Sequence, residues 1–473
     1  MNDSTISRKN FIRNASVLVA GGTGLLGTAQ RQEGASDGGS EGALGVEMTG
    51  SGDAAAVPAN APGTPGSGDQ GKKNYSFKNV RLETGFDYED NEVAHTRTEL
   101  FIVKVADGKI AAVLPNDPKA DAIDAGGRLM LPAFKDMHIH LDKTFYGGPW
   151  KARQKKNRSV RDMIALEQQI NPELLKTSTF RAEKIIELLQ SKGSSFARSH
   201  VNIEPTSGVQ SLKNLQQALQ NKKAGFGAEL VAFPQHGLYY TASTGLMREA
   251  AQMGIDFIGG LDPQSIDGDI ERSINFTVDL ALEFNKGIDI HLHEGGDSGL
   301  RTVEYLIERV KAQPALKGKT FLSHCFVLAR LDKAKQEAIA DSLAGAGIGI
   351  VSTIPFGGTI MPIPTLYKYG VTVLTGNDSI IDHWNTFGTG SVLQKASLMA
   401  QLYGYSTEFD LSRSLKLATG NILPLDDKGK RQWPKVGDKA SLVLLDASCS
   451  AEAVSRVPSV RTLVHEGMIV YSV

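Results

Sequence analysis

The chain has 473 residues, a formal net charge of -1 and a hydrophobic fraction of 41%, a soluble composition longer than one ordinary domain. Near-neutral charge gives no electrostatic reason to expect nucleic acid or an anionic membrane as partner. No run of about 18 apolar residues occurs, so no transmembrane helix is expected in the mature protein, and the two cysteines, Cys325 and Cys449, make neither a disulfide framework nor a zinc knuckle.

At the N-terminus, Arg8, Lys9 and Arg13 precede a short apolar segment from Ala15 to Ala29, interrupted by glycine and too short for a stable anchor. Residues 1–30 resemble a twin-arginine export signal with Lys9 in place of the second arginine. That implies an exported, periplasmic protein; without the signal in use, the cytoplasm is expected. Gly21, Gly24 and Gly27 mimic a dinucleotide fingerprint, but that fingerprint needs a βαβ unit around it. Residues 31–74 are instead rich in Gly, Ser, Ala and Asp, cannot bury a core, and are expected to form a disordered linker.

From Tyr75 to Leu131, short alternating runs such as 99–105 and 109–114 flank Asp107 and Gly108, a hairpin signal. Residues 440–446 and 460–471 repeat the style. Residues 75–131 and 422–473 are therefore expected to form one small β-sandwich-like domain built from both ends of the folded chain.

Residues 132–421 alternate apolar strand-like runs with amphipathic helical stretches, the pattern of a parallel sheet wrapped by helices. The first run ends at His138 and His140, and the others cover 196–203, 229–235, 256–261, 288–293, 320–324, 348–353 and 371–376. Helical periodicity marks 179–190, 271–284, 302–311 and 330–343. Eight such units predict an α/β fold closed as a (β/α)8 TIM barrel, with an open doubly wound sheet as the alternative.

In such a barrel the active site forms at the C-terminal strand ends. The residues there are His138 and His140, Glu204, Gln235, Asp262, His291 with Glu294, His324 and Asp378. Eight of the ten histidines lie between positions 138 and 383. A lone histidine beside a strand is usually a core or loop residue, but histidines at the same end of four strands point to a metal site. Alternation puts His291 and His293 on one face, and position within the strand does not choose between them as ligands.

Together these motifs resemble the amidohydrolase superfamily, in particular its cytosine-deaminase-like branch, over about residues 75–473. The marks are 138–142 (His-Ile-His-Leu-Asp), 231–235 (Val-Ala-Phe-Pro-Gln), Asp289 and His291 with Glu294 three residues on, Ser323 with His324, and 376–378 (Gly-Asn-Asp) followed by Asp382, His383 and Trp384. The resemblance implies one divalent ion, zinc or iron with manganese also accepted, held by His138, His140, His291 and Asp378. His293 stands where cytosine deaminases carry an aspartate.

Such an ion acidifies a bound water; Asp378 takes its proton, His324 orients it, and Glu294 protonates the ring nitrogen. Gln235 offers an amide that donates and accepts, Trp384 a wall for a flat ring, and Lys143 a partner for a substrate oxygen. Three positions depart from cytosine deaminase: Ser379 replaces a second aspartate beside the substrate, Asn377 a histidine, and His236 a glutamate. Lys143 resembles the N-isopropylammelide amidohydrolases instead. The expected function is hydrolytic deamination of a cyclic amidine or nucleobase-like heterocycle. The alternatives are an N-alkylamine or cyclic-amide hydrolase of the same superfamily and, from another class, a non-catalytic metal-bound ligand-binding protein. The expected partner is a small heterocyclic substrate, and barrels of this kind often form homo-oligomers.

Overall fold

The structure is a computed structural model describing residues 74–152, 159–354 and 357–473. The export-signal reading of residues 1–30 and, Asn74 aside, the linker reading of residues 31–74 lie outside the described residues. The strands are β1 (Tyr75–Glu89), β2 (Glu92–Ala106), β3 (Lys109–Pro115), β4 (Ile123–Asp124), β5 (Leu129–Pro132), β6 (Phe134–Ile139), β7 (Ser194–Asn202), β8 (Gly227–Phe233), β9 (Phe257–Leu261), β10 (Gly287–Leu292), β11 (Thr320–His324), β12 (Ile348–Val351), β13 (Val373–Leu374), β14 (Leu442–Leu445), β15 (Val460–His465) and β16 (Met468–Ser472).

The two ends of the folded chain share one mixed sheet, ordered β16-β15-β14-β5-β1-β2-β3 with β4 beside β1. Asp107 (φ 51°) and Gly108 (φ 76°) supply the paired left-handed conformations that the tight β2–β3 hairpin needs. The hairpin pairs back on the stretch before β14, with the Ile110 N–H on Asp438 O (2.8 Å) and the Ala440 N–H on Gly108 O (2.8 Å). The sheet thus curls around its own core, which includes Phe77, Val103, Ile110, Met130, Leu442 and Val464.

Strands β6 to β13 follow one another in a second, parallel sheet, with helices in the connections. Its first and last strands meet: the Met137 N–H bonds Thr375 O (2.9 Å), the Asp378 N–H bonds His138 O (2.7 Å), and the His140 N–H bonds Asp378 O (3.2 Å). The fold is a (β/α)8 barrel. The four helical stretches read from periodicity appear as Ser178–Ser191, Ile270–Glu283, Gly296–Lys311 and Lys333–Ala346. Asp269 and Asp332 start two of them by accepting the N–H of Arg272 and Lys335.

Met137, Val231, Phe257, Phe321, Val351 and Leu374 pack together as a separate cluster within the barrel sheet. The Arg198 guanidinium lies over the rings of Phe257 (4.0 Å) and Phe321 (4.3 Å) and pairs with Glu229 (3.0 Å) and Asp289 (3.1 Å). Both cysteines are buried and free, and among the described residues no helix is long and apolar enough to cross a membrane.

Candidate active site

Barrel closure brings His138 and His140 from the end of β6, His291 from β10 and Asp378 from the loop after β13 to one place. One donor atom from each of the four lies within 4.8 Å of all the others. Three strand-end residues, Asp262 (φ 38°), His324 (φ 66°) and Asp378 (φ 62°), adopt left-handed backbone, a strain that turns the chain sharply where these side chains are needed.

The donors are prepared for a cation. His138 Nε2, His140 Nδ1 and both ring nitrogens of His291 are buried without a hydrogen-bond partner. Buried polar nitrogens rarely stay unpaired. Burial and, second, the Lys143 charge push the His140 imidazole down to about 3. Burial also holds His291 well below its usual range, so it is neutral with the lone pair of one ring nitrogen available. Burial acts to raise the Asp378 carboxyl, but the imidazoles of His138 and His140, with Nε2 at 3.3 and 3.4 Å from its Oδ1, hold it well below the usual carboxylate range. Neutral imidazoles with one carboxylate suit a divalent transition metal.

Asp262, just after β9, distinguishes His293 from His291, which strand position alone treats alike. Asp262 accepts the His293 backbone N–H (2.6 Å) and lies 2.8 Å from its Nδ1, turning that ring away from the four-donor group. Glu294 is fixed by one oxygen only: Oε1 accepts the N–H groups of Gln264 and Ser265 (both 2.8 Å), while Oε2 is buried and unbonded. Burial raises its pKa. The His324 ring stacks on His293 (4.6 Å between centroids), and its Nδ1 lies 3.1 Å from the Thr353 hydroxyl.

The expected substrate-side residues form a second group. Lys143 donates to Gln235 Oε1 and lies 5.4 Å from the Trp384 ring centroid. Ser379 is buried next to Asp378, and its hydroxyl bonds Asp382. Glu204, by contrast, is taken up by Thr206, Ser207 and His236.

Two residues escaped the sequence reading. His200, on β7, is fully buried with both ring nitrogens unbonded, and its centroid lies 4.2 Å from that of His138 and 4.5 Å from that of His291. The residue at the end of its run is Glu204, whereas alternation along β7 puts Arg198, His200 and Asn202 on one face. Glu167 is a fully buried acid on the helix Val160–Leu175. Its position in the buried row Met163, Ile164, Glu167, Asn171 and Leu174 was the available signal.

A sequence profile described as the amidohydrolase family matches residues 198–471, more than half of the chain. The chain belongs to the amidohydrolase family. Hydrolysis of carbon–nitrogen bonds is the chemistry that membership and the relatives support. An uncharacterized protein of Escherichia coli K12, YahJ, is 51% identical over 403 residues, covering 84% of this chain and 88% of its own length. The crystal structure of N-isopropylammelide isopropylaminohydrolase from Burkholderia multivorans aligns with a TM-score of 0.73 at 26% identity, covering 85% of this chain and 99% of that one. That of 5-methylcytosine deaminase from Klebsiella pneumoniae, liganded with 5-fluorocytosine, aligns with a TM-score of 0.69 at 27% identity, covering 84% and 97%.

Proposed function

We propose that this amidohydrolase deaminates a small heterocycle at a cyclic amidine carbon. The observation that carries the reading is Glu294, whose Oε2 is buried, unbonded and three residues beyond His291 while Oε1 is clamped by two backbone N–H groups. His138, His140, His291 and Asp378 would hold one divalent ion, with zinc, iron or manganese as the candidates. Such an ion, when bound, supplies Lewis acidity that makes water nucleophilic near neutral pH. Asp378 accepts the proton released from that water, and His324 orients it. Glu294, its pKa raised by burial, delivers a proton to the ring nitrogen as water adds, and the proton taken by Asp378 then passes, directly or through Glu294, to the amino group, which leaves as ammonia when the C–N bond breaks. Lys143 and Trp384 hold the ring.

The 5-methylcytosine deaminase likeness supports this reading. A second reading, release of an alkylamine, draws support from the N-isopropylammelide isopropylaminohydrolase likeness and from Lys143 and Ser379 in the substrate group. The deciding experiment loads purified protein with zinc, iron(II) or manganese and assays ammonia release from cytosine, isoguanine, creatinine, oxo-aminotriazines and hydropyrimidines. Glu294→Gln is the control. Ammonia from one ring, abolished in the variant, establishes the deaminase. Isopropylamine from N-isopropylammelide without ammonia from any ring turns the assignment to the alkylamine reading.

A further inference from the structure

Glu167 has no exposed surface, yet its carboxylate gathers donors from four segments of the barrel mouth. Oε1 accepts from Asn202 Nδ2 at 2.8 Å, with Lys143 Nζ at 3.4 Å. Oε2 accepts from Trp384 Nε1 at 3.3 Å and lies 3.6 Å from Nε2 of both His236 and His383. Burial acts to raise a carboxyl in such a place, but Lys143, His383 and His236 outweigh it and keep Glu167 ionised. None of the four candidate metal ligands is among these partners, so the group organises the pocket and not the cation.

Its effect passes through Lys143. That ammonium has three N–H groups, one spent on Gln235 Oε1 and one directed at Glu167. Gln235 has one amide oxygen, and Lys143 takes one of its two lone pairs. What remains on the two residues is mostly N–H, with a single acceptor site left on Gln235. A ring edge carrying oxygens pairs with such a donor-rich wall, whereas the amino group of an amidine edge sets donor against donor beside its one acceptor nitrogen and leaves a buried group unpaired.

We propose that Glu167 is a specificity-determining positioning residue: it anchors Lys143 against Gln235 and Trp384, so that this wall offers N–H donors and favours heterocycles whose corresponding edge carries oxygens. The specificity half of this statement rests on the heterocycle hydrolase reading above; the positioning half does not.

The test uses the full chain with Glu167→Gln and Glu167→Ala. Positioning is read without any ligand, as the reductive methylation rate of Lys143 by mass spectrometry and the indole N–H resonance of Trp384 by NMR. Specificity is read as binding of cyanuric acid and of melamine to zinc-loaded protein by tryptophan fluorescence, with zinc content measured in each variant. The expected result is faster Lys143 methylation, a displaced Trp384 resonance, cyanuric acid binding weakened about tenfold or more, melamine binding little changed, and unaltered zinc content. For any ring that is turned over, KM should rise more than kcat falls. Unchanged methylation and resonance overturn the proposal whether or not a ring binds. Movement of both with no change in cyanuric acid affinity overturns the specificity role. If the wild type binds neither ring, the heterocycle reading is what fails, and Lys143 methylation still decides the positioning.

Discussion

His138 Nδ1 lies 2.9 Å from the Ser323 hydroxyl, which spends its own proton on Asp289 Oδ1 at 2.6 Å. A hydroxyl has one proton to give, so Ser323 accepts from His138, which fixes the tautomer with Nδ1 protonated and Nε2 carrying the lone pair toward Asp378. Arg198 holds Asp289 from the other side at 3.1 Å. Ser323→Ala should lower metal affinity by about 10- to 100-fold without unfolding the barrel. Competition with a chromogenic chelator measures it, and unchanged affinity would remove this chain of contacts from the metal centre.

Glu294→Gln keeps the size of the side chain and an oxygen for Gln264 and Ser265 while removing the acid. The expected loss in kcat is about 10²- to 10⁴-fold with metal content retained. A variant that turns over normally would take the proton-transfer role away from Glu294.

Removal of metal should abolish activity and lower the melting temperature, because an ion that binds only the folded chain stabilises it by mass action. Dialysis against chelator, followed by calorimetry with and without added zinc, checks this. Asp378→Asn should lose both the thermal shift on zinc addition and the activity.

His236 is buried between Glu167 and Glu204; although burial lowers its pKa, the two carboxylates, 3.6 and 3.1 Å from its ring nitrogens, raise it to about 9. The folded value stands above the unfolded value near 6.5, so its stabilisation is complete below pH ~6.5 and is lost as pH rises through about 9. The magnitude is on the order of 3 kcal/mol. Melting temperature should therefore decline across this window in the wild type, and His236→Gln should flatten the decline. Parallel pH profiles for the two proteins would contradict a charged His236.

A side chain at Gly376 would overlap the His138 backbone and the Asp136 carboxylate. That carboxylate, pushed up to about 6 by burial, accepts the Asn377 N–H (3.1 Å) and side-chain amide (2.7 Å) beside Asp378. Gly376→Ala should destabilise the protein by about 1–3 kcal/mol and weaken metal binding, since the seam that closes the barrel also carries three of the four donors, His138, His140 and Asp378. Denaturant titration and metal analysis measure the two effects together.

The sequence by itself determined the alternation of strands and helices and, with the family resemblance, the four candidate donors. Period-two and period-three-to-four patterns are local properties of the chain, so the strand run ending at His138 and the helix found as Ile270–Glu283 were legible residue by residue. The hairpin at Asp107 and Gly108 was legible for the same reason, because the turn needs residues that tolerate positive φ. His138, His140, His291 and Asp378 followed from strand ends and family resemblance, and the fold brings the four together. Tertiary structure alone decided the partnerships. The local pattern treats His291 and His293 alike; Asp262, from the neighbouring strand, separates them by taking the second ring. Glu167 reads in sequence as one acid on a helix, and its five partners lie 24 to 217 positions away. Hydrogen bonds and charge pairs between buried groups depend on a few ångströms of separation, and only the closed barrel supplies those distances.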